Sequence, residues 1–133
     1  RGNCLKTNHI IADAFTFIAT LATKGPRYDI VVVDPPSLVR KREKNSIKKA
    51  LGVYTKLNRN TLRSIHSGGI IMTSSCSTPV TNEDFFNMIS RAAVGAKVDL
   101  RIIAIGSNCP DHPIDPFFPD GRYLKTITAE VLR

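Results

Sequence analysis

Asp34 and Cys76 are the two side chains of this chain best placed to do covalent chemistry. Each closes a short apolar run. Tyr28-Asp29-Ile30-Val31-Val32-Val33 ends in Asp34-Pro35-Pro36, and Gly68-Gly69-Ile70-Ile71-Met72-Thr73 ends in Ser74-Ser75-Cys76-Ser77. Short β-branched runs bounded by breakers read as buried parallel strands. In open α/β sheets, ligands bind beyond the carboxyl ends of such strands. The two runs therefore aim a carboxylate and a thiol at one crevice. Proline fixes φ and lacks an N–H, so Pro35 and Pro36 take the chain out of the sheet rigidly and hold Asp34 in place. A thiol attacks as the thiolate, which needs a cation or a helix terminus nearby. The hydroxyls flanking Cys76 also suit a small buried thiol with no reactivity.

The elements that must position this pair follow the same pattern. His9–Ala12 is expected to be a strand closing on Asp13, and Phe15, Ile18, Ala19 and Ala22 mark a helical stripe stopped by Lys24-Gly25-Pro26. After Pro36 comes the most charged stretch, residues 40–49, expected to be a loop leading into a helix. That helix is expected to carry Tyr54, Leu57, Leu62 and Ile65 and to end near Ser67-Gly68-Gly69. Thr81 can cap a further helix, with Asp84 three residues on and Phe85, Met88, Ile89 and Ala92 buried. Leu100–Ile105 and Arg122–Leu132 read as strands, separated by a proline-rich loop over Asn108–Gly121. The expected fold is α/β, a mostly parallel sheet whose last strand is antiparallel.

The bulk properties set limits. With 133 residues the chain can build one core, and no apolar run approaches the length of a bilayer span. Three separated cysteines, Cys4, Cys76 and Cys109, and no secretory pattern point to a reducing cytoplasm. Because the chain does not open on methionine, it is expected to be a piece of a longer protein. A net charge of +8 suggests a polyanionic partner, most simply nucleic acid. Arg40, Lys41, Arg42 and Lys44 would rim the crevice, where such contacts give sequence-independent affinity. Cys4, His9, Cys109 and His112 form no recognised metal-ligand spacing, and no metal is expected. His9 and His66 are read as structural. Neither a Walker A sequence nor G-x-G-x-x-G after a strand occurs.

Asp34-Pro35-Pro36, Tyr54 with Asn58, Gly68-Gly69, Ser75-Cys76-Ser77, Asp111-His112-Pro113 and Pro119-x-Gly121-x-Tyr123-Leu124-Lys125 occur in this order. Together they resemble the catalytic domain of S-adenosylmethionine-dependent ribosomal RNA large-subunit cytosine-5 methyltransferases, over nearly the whole chain. The resemblance implies a Rossmann-like class I methyltransferase sheet truncated at its N-terminus, with residues 1–133 as the C-terminal part of a catalytic domain. It implies Cys76 as nucleophile at cytosine C6 and Asp34 as the residue that binds the cytosine edge. Asp13, Asp34 and Pro35 would contact S-adenosylmethionine. Pro36, Arg40, Lys41, Arg42, Lys44, Tyr54 and His112 would contact RNA, expected to be ribosomal. The family's glycine-rich cofactor loop and ribose-binding acid lie upstream and are not in this sequence. The chain alone is therefore expected to bind S-adenosylmethionine poorly or not at all, and to self-associate through exposed sheet edges. Two other functions fit the same residues: methyl transfer to a protein or small molecule, and a non-catalytic nucleic-acid-binding α/β module.

Overall fold

A computed structural model of the protein describes residues 6–39 and 43–133. Three helices lie against a four-stranded sheet. The elements in chain order are α1 (Ala14–Lys24), β1 (Tyr28–Val33), α2 (Lys44–Arg63), β2 (Ile65–Ser75), α3 (Asn82–Ala96), β3 (Asp99–Gly106) and β4 (Lys125–Leu132), with one 3-10 turn at Pro119–Gly121. Spatial order is β1-β2-β4-β3. β1 and β2 are parallel, and β4 is antiparallel to both β2 and β3. Three strands thus run one way, and the last strand inserts between two of them as a reversed partner. The fold class expected from the sequence is the one observed.

Local chemistry accounts for the helix ends. Asp13 caps α1 by accepting from the Thr16 backbone N–H at 2.8 Å. Thr81 and Asp84 form a reciprocal capping box at the start of α3. The buried stripes are those read from periodicity: Tyr54, Leu57 and Leu62 on α2, and Phe85, Met88, Ile89 and Ala92 on α3. They pack onto Ile71, Ile127, Ala129 and Val131 of the sheet. α1 covers the outer strand more thinly, with Phe15 and Ile18 half-buried against the same core.

Two expected elements are corrected. Residues 9–12 form no strand, and Ile10 and Ile11 are exposed. A strand needs a ladder partner, and among the described residues β1 has none on that side. α2 stops at Arg63 rather than near Gly68, because the Ser64 carbonyl accepts from the Tyr28 N–H at 2.8 Å and Ile65 already pairs with Tyr28. Sheet pairing overrides the helical periodicity there. Gly68 and Gly69 lie inside β2, where the register with β1 shifts between Tyr28 and Ile30. Gly68 has φ +84°, and a Cβ on Gly69 would sit 2.9 Å from the Asp29 carbonyl oxygen. The pair builds a bulge, not a helix cap.

The sheet face away from the helices is open among the described residues. Ile30 and Val32 are 65% and 62% exposed, and Met72, paired with Val32, lies beside them. No helix among the described residues is long and apolar enough to cross a membrane.

Candidate active site

β1 and β2 run in parallel and end side by side, so the residues that follow them meet at one rim. The Ser74 hydroxyl donates to the Asp34 carboxylate and fastens the two strand ends together. Behind that contact lies a buried hydroxyl network. Ser77 is fully buried, and its Oγ is 3.0 Å from Ser37 Oγ and 3.0 Å from the Tyr54 hydroxyl. Ser75 Oγ, also buried, donates to the Tyr54 hydroxyl at 3.3 Å and accepts from the Ser77 backbone N–H at 3.3 Å. Lys125 Nζ donates to the Ser77 carbonyl at 3.1 Å and to the Tyr123 carbonyl at 2.6 Å. Cys76 therefore sits between two immobilised serines on a fixed backbone, with its own side chain half-buried. Such a thiol is held still yet reachable, as a nucleophile must be.

Electrostatically the rim is asymmetric. Lys125 lies in the interior, and burial lowers its pKa while the nearby Cys76 sulfur raises it. Its ammonium is thus a cation close to the thiol, withheld from solvent and held by two carbonyls.

The expected site residues sort as follows. Asp34, Pro35 and Pro36 stand at the end of a cleft of about 820 Å³ that wraps the free edge of β1, with Phe15 and Ile18 of α1 on one wall. Asp13 lies at the start of α1, with its carboxylate engaged by Thr16 and its pKa lowered mainly by that backbone hydrogen bond. Lys44 is exposed in the first turn of α2. His112 is exposed in the long loop, 3.1 Å from the Tyr123 hydroxyl and edge-on to its ring. Arg40, Lys41 and Arg42 lie outside the described residues, as does Cys4. Tyr54 requires a correction. At 0% exposure it has no surface to offer RNA, and its hydroxyl instead braces Ser75 and Ser77. Asn58 is buried beneath it and donates to the Tyr54 carbonyl at 3.0 Å.

Ser37, Ser77 and Lys125 belong to the site but were given no role on sequence grounds. Lys125 did leave a signal. It shares the inward parity of β4 with Ile127, Ala129 and Val131, and a lysine on a buried parity calls for a partner. Among the described residues, no group of three His, Cys, Asp or Glu side chains is placed to hold a metal.

Comparison with known proteins bears on this geometry. A solved structure described as a methyltransferase complexed with SAH superposes with a TM-score of 0.72 at 26% identity, over 91% of this chain and 30% of that one. The fold is that of class I methyltransferases. A Streptococcus mutans protein described as SAM-dependent (TM-score 0.70, 24% identity, 91% of this chain and 30% of that one) shares it. So does a methyltransferase homologue from Pyrococcus horikoshii (TM-score 0.60, 18% identity, 86% of this chain and 42% of that one). In sequence, the chain is 31% identical over 127 residues to ribosomal RNA large subunit methyltransferase I of Escherichia coli, and equally to that of Shigella boydii. Those matches cover 96% of this chain but 32% of each relative, so the chain spans about a third of their length. No protein-family model matches the chain.

Proposed function

We propose that this chain is the acceptor-side part of an S-adenosylmethionine-dependent methyltransferase acting on C5 of a cytosine in ribosomal RNA, with Cys76 as nucleophile. The observation that carries the reading is the pairing of Asp34 with Cys76 at adjacent strand ends, joined through Ser74 and braced by the Ser77 network. The relatives' names supply the methyl donor and the RNA. The choice of C5 rests on the thiol, because methylation of an amino nitrogen needs no covalent nucleophile.

Cytosine C5 is a poor nucleophile until a group adds at C6. Cys76 Sγ, as thiolate, would form the bond to C6, while Asp34 holds the N3–N4 edge of the base and N3 takes up a proton from water, which it gives back once C5 is methylated. The electron pair freed at C5 then makes the new carbon–carbon bond. S-adenosylmethionine supplies the methyl group as an electrophile. Removal of the C5 proton by a base restores the C5–C6 double bond and expels the thiolate. The base must leave its stack to reach this rim. Pro35 and Pro36 give the pocket a rigid wall.

The cleft follows the unpaired edge of β1 from Tyr28 to Asp34, and only its Asp34–Pro36 end reaches the rim, where Asp34 would face the sulfonium end of the cofactor. The chain contributes one wall of that site. Isothermal titration is accordingly expected to show S-adenosylmethionine affinity weaker than micromolar for the isolated chain.

RNA bearing 5-fluorocytosine, incubated with S-adenosylmethionine and the full-length protein, tests the reading. Fluorine at C5 cannot leave as a proton does, so the thiol adduct persists. A denaturation-resistant protein–RNA adduct that disappears in Cys76→Ala is the expected result. No adduct on ribosomal RNA, despite demonstrated cofactor binding, would shift the acceptor to a protein or small molecule and make Cys76 structural.

A further inference from the structure

α2 and α3 both begin at the rim that carries Asp34 and Cys76. α2 follows β1 and α3 follows β2, so the two helices run side by side and away from that rim. Between them lies a groove of about 630 Å³. Five cations line it: Lys44, Lys48, Lys56 and Arg59 from α2, and Arg91 from α3. One acid, Asp84, is present, and its carboxylate is spent on the Thr81 capping box. Among the described residues none of the five cations forms an ion pair.

Three further features point to an anion in this groove. First, α2 carries Lys44, Lys48 and Lys49 in its opening turns against a single acid, Glu43 at the N-cap, which makes no side-chain cap bond. Cations there oppose the helix dipole, at a cost that a bound anion would offset. Second, Arg59 packs its aliphatic stem near Gly95 of α3, and its Nε is buried without a hydrogen-bond partner. Among the described residues no carboxylate pairs with its guanidinium. Third, Gly52 lines the groove with open space where a Cβ would stand. Glycine inside a helix costs about 1 kcal/mol relative to alanine, and no packing contact among the described residues requires it here.

We propose that the α2–α3 groove is a binding track for the sugar–phosphate backbone of the RNA that flanks the target base. Lys44 to Arg59 spans fifteen helical residues, about 22 Å, enough for several nucleotides. Lys44 and Lys48 share one face, as residues four apart on a helix do, and Arg91 closes the track from the opposite wall. Ile47 and Leu51, both half-buried, form an apolar floor on which a ribose or base face can rest. The track begins where the flipped base would enter and leads away from it. This inference rests on the RNA reading above and assigns that substrate a path across the protein.

The test is fluorescence anisotropy of the full chain with a labelled single-stranded RNA, over a series of salt concentrations. Lys56→Ala/Arg91→Ala is compared with Lys6→Ala/Lys24→Ala, which removes the same number of exposed charges, unpaired among the described residues, from elsewhere. Each single-strand phosphate contact contributes about 0.7 to the slope of log affinity against log salt. The groove pair is therefore expected to lower that slope by about 1.4 and to weaken binding roughly 25-fold at about 0.1 M salt. The control pair is expected to change the slope little. Circular dichroism of both pairs verifies that the fold is kept. Equal losses in the two pairs, with RNA still bound by the parent, would overturn the track and leave the RNA reading standing. Absence of RNA binding by the parent, together with no 5-fluorocytosine adduct, would overturn both.

Discussion

Tyr54→Phe removes one oxygen from the centre of the hydroxyl network and nothing else. The ring keeps its shape, so no cavity forms and the usual cost of a truncated core residue is absent. What is lost is the link to Ser77 Oγ at 3.0 Å and the acceptor for Ser75 Oγ at 3.3 Å. Ser77 retains Ser37, but Ser75 is left with a buried donor and no acceptor. A net hydrogen bond is worth about 1 kcal/mol, and an orphaned buried hydroxyl costs at least about 1 more. The expected loss is therefore about 2 kcal/mol. With an unfolding entropy of about 2.1 cal/mol/K per residue, that lowers Tm by roughly 7 °C for a chain of this length. Urea denaturation followed by circular dichroism, at unchanged m-value, measures it directly. The orphan argument is checked by Tyr54→Phe/Ser75→Ala, which removes both partners and is expected to recover about 1 kcal/mol relative to additivity. A loss below about 0.5 kcal/mol, or strict additivity, would refute the claim that Tyr54 braces the Cys76 segment.

Other outcomes follow from charges and edges. The His66 imidazole lies 2.5 Å from Asp29, and that hydrogen bond is the main cause of its raised pKa. The pair's contribution to stability is fully present below the unfolded histidine pKa and fades as pH rises through the folded one. Proton NMR should show His66 titrating above 6.5, and nearer to it in Asp29→Asn; identical titrations would refute the pairing. Burial lowers the Lys125 pKa, so the unfolded chain binds the extra proton between the folded value and 10.5, and stability rises with pH in that window. Lys125→Met should flatten the rise in urea midpoints, and an unchanged slope would count against burial as its cause. β1 presents a free edge and exposed Ile30 and Val32, so light scattering is expected to show concentration-dependent self-association that Val32→Lys reduces. A monomer at every concentration would sink that expectation.

α3 was readable residue by residue. Thr81 and Asp84 supply the capping box within three residues, and its buried stripe repeats at helical spacing, so both signals are local. The end of α2 was not readable. The apolar periodicity carries on to Ile65, and the competitor that stops it, pairing with Tyr28, lies 37 residues upstream. The same holds for Gly68-Gly69, whose local pattern suits a helix cap as well as a strand bulge. Only the approach of the Asp29 backbone separates the two.

The sequence by itself determined the two strand ends and the chemistry aimed from them: a carboxylate fixed by prolines, a thiol flanked by hydroxyls, and an excess of positive charge. These depend on neighbours along the chain. Tertiary structure decided what holds the thiol and where the charge goes. Periodicity puts Tyr54 on the apolar stripe of its helix, but only the fold brings its hydroxyl onto Ser75 and Ser77. Lys125 enters the site because β4 inserts beside β2 and places it opposite Ser75. Lys56 and Arg91, 35 residues apart in sequence, face one groove because two successive crossovers lay α2 beside α3. Hydrogen bonds and charge fields act through space, so partners distant in sequence meet only once the sheet order is set.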